Sequence, residues 1–207
     1  MYLHNKRRDT FLLIALSCSI VLSYVYIDRS LAEICLHDSA WSLAPFFTMI
    51  KKLGLSSWYL IGSVLFYLYF HFIYKNKFYS HHALFLFSAV AVSGIVTDII
   101  KVIAGRYRPS MYFEHGLYGF DFFHIHSVMN SFPSGHTTTA FALAMYIAYY
   151  WPKFSSIGWI LAIAVGISRV ALTYHYLSDV LAGAFIGIMT VKVLIIYWPE
   201  KFSLSKT

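Results

Sequence analysis

Six long apolar runs alternate with short polar or basic joints along this chain, at 11–27, 57–74, 83–104, 135–151, 156–173 and 178–197. Each approaches the roughly 20 residues an α-helix needs to cross the hydrocarbon core of a bilayer. The pattern predicts an all-α, polytopic integral membrane protein with six transmembrane helices. Between the first two runs, 29–56 is mixed: Trp41, Phe46, Phe47, Met49 and Ile50 alternate with polar residues and end in Lys51 and Lys52. That pattern suits an amphipathic helix lying along the interface. No internal repeat, heptad or low-complexity tract interrupts the sequence.

The first run follows Lys6, Arg7 and Arg8, and Ser30-Leu31-Ala32 faintly resembles a signal-peptidase site. Asp28 and Arg29 sit where a signal peptide is uncharged, and the run is long for its apolar region, so an uncleaved first span is expected.

Composition agrees. The 207 residues are 59% hydrophobic with mean hydropathy +0.63, and only 12% are charged. A soluble domain is nearer half apolar. Six spans would take about 120 residues, so 1–207 is expected to form a single membrane-embedded domain with any chemistry at the membrane face. The net charge of +7 comes without a basic tract or a nucleic-acid-binding motif, so nucleic acid is not an expected partner. Cytoplasmic Lys and Arg make membrane proteins basic in any case. No obligate protein partner is evident. Cys18 lies within the first run and Cys35 beyond it, which gives no reason to expect a disulfide.

With both termini inside, Lys6, Arg7, Arg8, Lys75, Lys77, Lys153, Lys192, Lys201 and Lys206 collect on the cytoplasmic side, nine against Arg29, Lys51 and Lys52 outside. The positive-inside rule favours that orientation. It places three chemically conspicuous clusters on the outer face, at the ends of spans three and five and the starts of spans four and six.

The first cluster is Lys101-x6-Arg108-Pro109. Gly105 and Pro109 predict a helix break that lets Arg108 fold back toward the same anion as Lys101. Arg offers a planar fork for phosphate oxygens and Lys a point charge. Arg106 has two readings, a substrate contact or a headgroup contact. Asp98, one turn before Lys101, reads as its neutralising partner. The second cluster is Pro133-Ser134-Gly135-His136. It predicts a helix start, with Ser131 as a candidate cap, Pro133 in the first turn, and the Ser134 and Gly135 N–H groups bare as an anion cradle. The third is Ser168-Arg169-x5-His175-x3-Asp179. His175 and Asp179 are four apart, so the carboxylate can reach the imidazole, set its tautomer and leave the other nitrogen nucleophilic. Arg169 and His175 can share a site only if the chain turns near Thr173 and Tyr174.

Together these residues resemble the type 2 phosphatidic acid phosphatase superfamily, which includes bacterial membrane lipid phosphatases and shares its site with vanadium haloperoxidases. The family pattern KxxxxxxRP, PSGH, SRxxxxxHxxxD is met at all eleven specified positions, Lys101–Pro109, Pro133–His136 and Ser168–Asp179. The resemblance implies that His175 attacks phosphorus and becomes a phosphohistidine, oriented by Asp179. His136 protonates the departing lipid oxygen. Lys101, Arg108, Arg169, Ser134 and the Gly135 N–H hold the phosphate oxygens. Members of this kind use no metal or other cofactor. His115, His124 and His126 accordingly read as residues rimming the entrance rather than a zinc site. The 110–132 loop between the clusters carries Tyr112, Phe113, Tyr118, Phe120, Phe122, Phe123 and Phe132, suited to headgroup anchoring and to shaping the mouth.

The expected activity is removal of a phosphate from a membrane lipid at the periplasmic face of the inner membrane. Lipid A, phosphatidylglycerophosphate, phosphatidate and undecaprenyl diphosphate are the candidates the resemblance supplies. A lipid-to-lipid phosphotransferase and a non-catalytic phospholipid-binding or transport protein are the alternatives. Retention of both His136 and His175 speaks against the last, since binding alone needs only the cations.

Overall fold

A segment in lipid must satisfy its own backbone, and a helix is how a single segment does so; every apolar run is helical. The computed structural model describes residues 6–37, 40–124 and 126–198. Helix α1 (Lys6–Leu22) passes through a π-helical turn at Ser23–Ile27 into α2 (Asp28–His37). α3 (Ala40–Lys51) and a 3₁₀ turn (Lys52–Gly54) lead to α4 (Ser56–Leu68), which a second π-helical turn extends over Tyr69–Ile73. Then come α5 (Lys77–Ala104), the short α6 (Pro109–His115), α7 (Gly135–Tyr150), α8 (Ser155–Ala171) and α9 (Leu177–Tyr197).

Among the described residues, five stretches are long and apolar enough to cross a membrane: Leu13–His37, Ser56–Ile73, Lys77–Ala104, Pro152–Ala171 and Leu177–Tyr197. The chain is a multi-pass membrane protein. The expected count of six included 135–151, but α7 has only 16 residues and lies at the centre, against α5, α8 and α9. The first helix also runs further than expected. Residues 28–37 continue it rather than joining an interfacial segment, and α3 alone stands apart, packed on α8.

The outside is apolar and the inside partly polar. Ile14, Trp58, Ile95, Ile160 and Ile196 are exposed, while Ser93, Thr97, Thr138 and Ser168 are buried. In lipid, apolar burial gives no drive for association, so helices hold together through close backbone approach and shared hydrogen bonds. Thr97 on α5 donates to Thr138 on α7 at 3.1 Å. On α9, Gly183 and Gly187 face α7. A Cβ at Gly183 would come within 2.5 Å of the Ser134 carbonyl oxygen, and one at Gly187 would strike the Thr138 carbonyl. A G-x-x-x-G spacing in an apolar run is the sequence sign of such a seam.

The helix ends sort cleanly. Asp28 meets Ser178 at one end of the antiparallel α1/α9 pair, and Leu13 and Leu16 meet Val193 and Ile196 toward the other. The described chain ends therefore lie opposite the end where α5 and α8 stop and α7 and α9 begin. Lys201 and Lys206, counted for orientation, lie outside the described residues.

Candidate active site

Helix α5 stops at Gly105, whose φ of +56° is the left-handed conformation that favours glycine, with its N–H bonded to the Lys101 carbonyl. The chain then pairs Arg106 with Phe120 in an isolated bridge and starts α6 at Pro109. The expected break is therefore present, and the 110–132 segment is partly helical. Arg108 is fixed from both sides: its N–H donates to the Val128 carbonyl and its Nε to the Ser127 carbonyl, at 2.9 and 2.8 Å. Its two terminal nitrogens have no hydrogen bond or ion pair among the described residues.

Helix α7 begins at Gly135 with Ser134 as N-cap. Three expectations change here. Pro133 precedes the N-cap and so lies before the first turn, not in it. Ser131 does not cap α7, because its hydroxyl donates to Asp179 at 2.6 Å. The Ser134 N–H is not bare either, since it donates to the Asp179 carbonyl at 3.0 Å. The cradle moves one residue on: Gly135 and His136 open the helix, and no acceptor serves their N–H groups among the described residues. Lys101 supplies the charge, its Nζ only 3.3 Å from where a Gly135 Cβ would sit. Ser134 Oγ accepts from Thr137 at 3.0 Å, which leaves its own proton to donate. Asp98 lies 3.5 Å from Lys101 Nζ, as expected of a partner.

The turn expected after Arg169 is present. Thr173 takes φ +53°, and the Tyr174 and His175 N–H groups both return to the Arg169 carbonyl, at 3.1 and 3.2 Å. His175 is thereby brought back over Arg169 just before α9. Its Nδ1 lies 2.8 Å from the Ser131 carbonyl oxygen. A carbonyl only accepts, so Nδ1 carries the proton and Nε2 presents a lone pair. Asp179 Oδ2 is 3.6 Å from the same Nδ1, beyond hydrogen-bond length. The carboxylate thus reaches His175 through Ser131, whose carbonyl holds the imidazole while its hydroxyl is held by Asp179. Burial pushes the His175 pKa down to about 4, helped by Arg169 and Arg108 and opposed by Asp179.

Asp179 does more than face a histidine. It accepts the Tyr176 N–H at 2.9 Å, closing the first turn of α9, and it pairs with Arg106 NH1. Arg106 is fully buried and meets neither substrate nor headgroups. Its NH2 is 2.7 Å from Asp28 Oδ2, and Ser178 bridges the two acids' side of the site, donating its N–H to Asp28 at 3.0 Å and its hydroxyl at 2.5 Å. Rings of Tyr24, Tyr118, Phe120, Phe132 and Tyr176 surround the guanidinium, with centroids at 4.6–6.0 Å. The two carboxylates outweigh burial and raise its pKa. Three of the loop aromatics expected at the mouth are thus turned inward, while Phe122 and Phe123 stay exposed. The π-helical turn before Asp28 frees the Tyr24 carbonyl, which accepts from the Tyr118 hydroxyl at 2.6 Å.

Sequence reasoning missed Asp28. Its only signal was an acid at the end of an apolar run, and its partner lies 78 residues away.

Arg169 differs sharply from Arg106. It is 5% exposed, its Nε, like that of Arg106, has no partner, and, unlike Arg106, it has no carboxylate within ion-pair distance among the described residues. Its guanidinium stacks on Tyr174 at 4.6 Å and feels the charge of Arg108. His136 in turn feels Arg169, His175 and Lys101. All eight expected site residues therefore gather at one end of the bundle. Of the histidines expected at the entrance, His115 and His126 are exposed, and His124 is half-buried, 3.1 Å from Asp121. No three His, Cys, Asp or Glu side chains gather as a metal site among the described residues.

Comparison with known proteins points the same way. Residues 82–203 match the model of the PAP2 superfamily. Lipid A 1-phosphatase of Rhizobium etli is 37% identical over 114 residues, 55% of this chain and 49% of that protein. The chain spans about half the length of the curated relatives it matches. Among solved structures, the PAP2-type phosphatidylglycerolphosphate phosphatase of Bacillus subtilis aligns with a TM-score of 0.62 at 24% identity, covering 91% of this chain and 96% of that one. Aquifex aeolicus LpxE aligns with a TM-score of 0.58 at 20% identity, over 83% and 96%. At those identities the likeness is one of fold.

Proposed function

The chain belongs to the PAP2 superfamily, and from that premise we propose that it is a membrane lipid phosphatase acting through a phosphohistidine. The observation that carries the reading is the buried, unpartnered Arg169 lying under a histidine whose Nε2 lone pair is free. A buried guanidinium without a counter-charge is costly, and a phosphate dianion offsets that cost.

In this reading Lys101, Arg108, Arg169, the Ser134 hydroxyl and the Gly135 N–H hold the nonbridging oxygens, and more strongly as charge builds on them. Nε2 of His175 attacks phosphorus in line with the ester oxygen. The positive charge this brings to the imidazole is held by the Ser131 carbonyl, with Asp179 behind it. His136 gives its proton to the leaving oxygen and then accepts one from the water that releases phosphate. Each step is carried by a side chain of this chain.

The substrate is a phosphorylated lipid of the bilayer, with lipid A, phosphatidylglycerophosphate, phosphatidate and undecaprenyl diphosphate as candidates; relatives named for lipid A and lipid phosphates support the class. The positive-inside count places the site on the periplasmic face of the inner membrane and α7 as a sixth, short span. Phosphate release by the purified protein in proteoliposomes containing each candidate tests the reading. Wild type is expected to turn over at least one lipid and His175→Ala none. Tight binding of a lipid by both proteins without release from either would sink it.

A further inference from the structure

One cation near this pocket has no part in the mechanism above. Lys51 ends α3, and its ammonium lies 4.7 Å from the Tyr174 ring centroid and 3.4 Å from the Tyr174 hydroxyl. Arg169 stacks on the same ring, and Arg108 is within its electrostatic reach. Tyr174 thus gathers cations that repel one another, and among the described residues Lys51 has no ion pair with a carboxylate. A lysine serving only headgroups would turn outward to water. This one is drawn over the residue next to His175.

Its side of the pocket is also defined. The turn after Lys51 is pressed onto His136, so closely that a Cβ at Gly54 would lie 2.8 Å from both the Cβ and the carbonyl oxygen of His136. Lys51 is among the charges His136 feels. It therefore enters beside the group assigned to the leaving oxygen. A cation there matters most when the leaving group keeps a negative charge of its own.

We propose that Lys51, steadied by Tyr174, is a leaving-group contact that binds the second phosphate of a lipid diphosphate. This rests on the phosphatase reading. The Nε2 lone pair of His175 forms the N–P bond to the terminal phosphorus, and the bond from that phosphorus to the bridging oxygen breaks. The electron pair departs with the bridging oxygen on the lipid monophosphate. Water then attacks the phosphohistidine, the N–P pair returns to Nε2, and inorganic phosphate leaves. From a monophosphate the departing oxygen is a basic alkoxide that needs the proton of His136. From a diphosphate it belongs to a far less basic phosphate, so a cation counts for more than a proton.

Initial rates of phosphate release by the full chain on farnesyl diphosphate and farnesyl monophosphate test this. Lys51→Ala is expected to lower kcat/KM on the diphosphate at least about tenfold, the size of one charge-assisted hydrogen bond, with the monophosphate rate little changed. Lys51→Arg should restore most of the diphosphate rate. His136→Ala should show the reverse preference, harming the monophosphate more. Equal losses on both lipids, or none, would overturn the role of Lys51 while leaving the phosphatase reading intact. A wild type inactive on every lipid would overturn that reading and this one with it.

Discussion

Arg106 and Arg108 are two residues apart and have opposite occupations. Arg106 is sealed among five aromatic rings, with Asp28 on one nitrogen and Asp179 on another. Arg108 is half-buried, tied by carbonyls at Nε and backbone, and close enough to Lys101 and Arg169 for its charge to be felt by both. Beneath lies a region where one guanidinium is paired with two carboxylates and every acid oxygen is bonded. Above it, Arg108 and Arg169 have no ion pair among the described residues, and only Lys101 meets an acid, Asp98. The lower region is a clamp joining the first helix to the start of α9, and the upper one gathers the cations that the proposed mechanism sets around phosphate. Burial alone does not tell a structural arginine from a functional one; what separates them is whether the counter-charge belongs to the protein.

That contrast can be broken from either side. Asp28→Ala should have the largest effect, because it leaves Arg106 half-paired in a fully buried site, where breaking a pair costs about 3–5 kcal/mol. A marked fall in the thermal midpoint of the detergent-solubilised protein, together with lost activity, is expected; an unchanged midpoint would show that the clamp holds nothing together. Arg169→Ala should do the reverse. Removing a cation that has no acid partner, repels Arg108 and is held only by its stack on Tyr174 should leave the midpoint level or raised, while kcat falls by about a hundredfold or more, as for loss of one oxyanion donor. If that variant unfolded instead, Arg169 would belong with Arg106.

The smallest effect is in pH. His175 is a nucleophile only when neutral, and its folded pKa, about 4, lies below the ordinary histidine value. Its contribution to stability is therefore complete above about pH 6.5 and is lost as pH falls toward 4. The acid limb that His175 imposes on kcat/KM should lie well below 6.5. Arg169→Ala removes one cause of the lowering and should move the limb upward; a limb that stayed put would mean that Arg169 does not act on the imidazole.

Much of this was legible in the sequence. Apolar length announced the helices, and the break at Gly105 and the turn at Thr173 followed from residue type and spacing. The eight expected site residues come together because four helix ends at one membrane face leave them little else to do. Less legible were the Ser131 carbonyl as the acceptor for His175, the use of the Ser134 N–H by Asp179, and the burial of Arg106. Backbone acceptors carry no sequence mark, and a cation near an apolar run looks the same whether it faces water, lipid or a distant acid.

The sequence by itself determined that this chain lies in a membrane and that three polar clusters share one end of it, because bilayer thickness and helix geometry are local rules. Which cation is paired with an acid of the protein and which is not was decided only in three dimensions. Asp28 reaches Arg106 across 78 residues, and only packing of the first helix against α9 brings that carboxylate under the site.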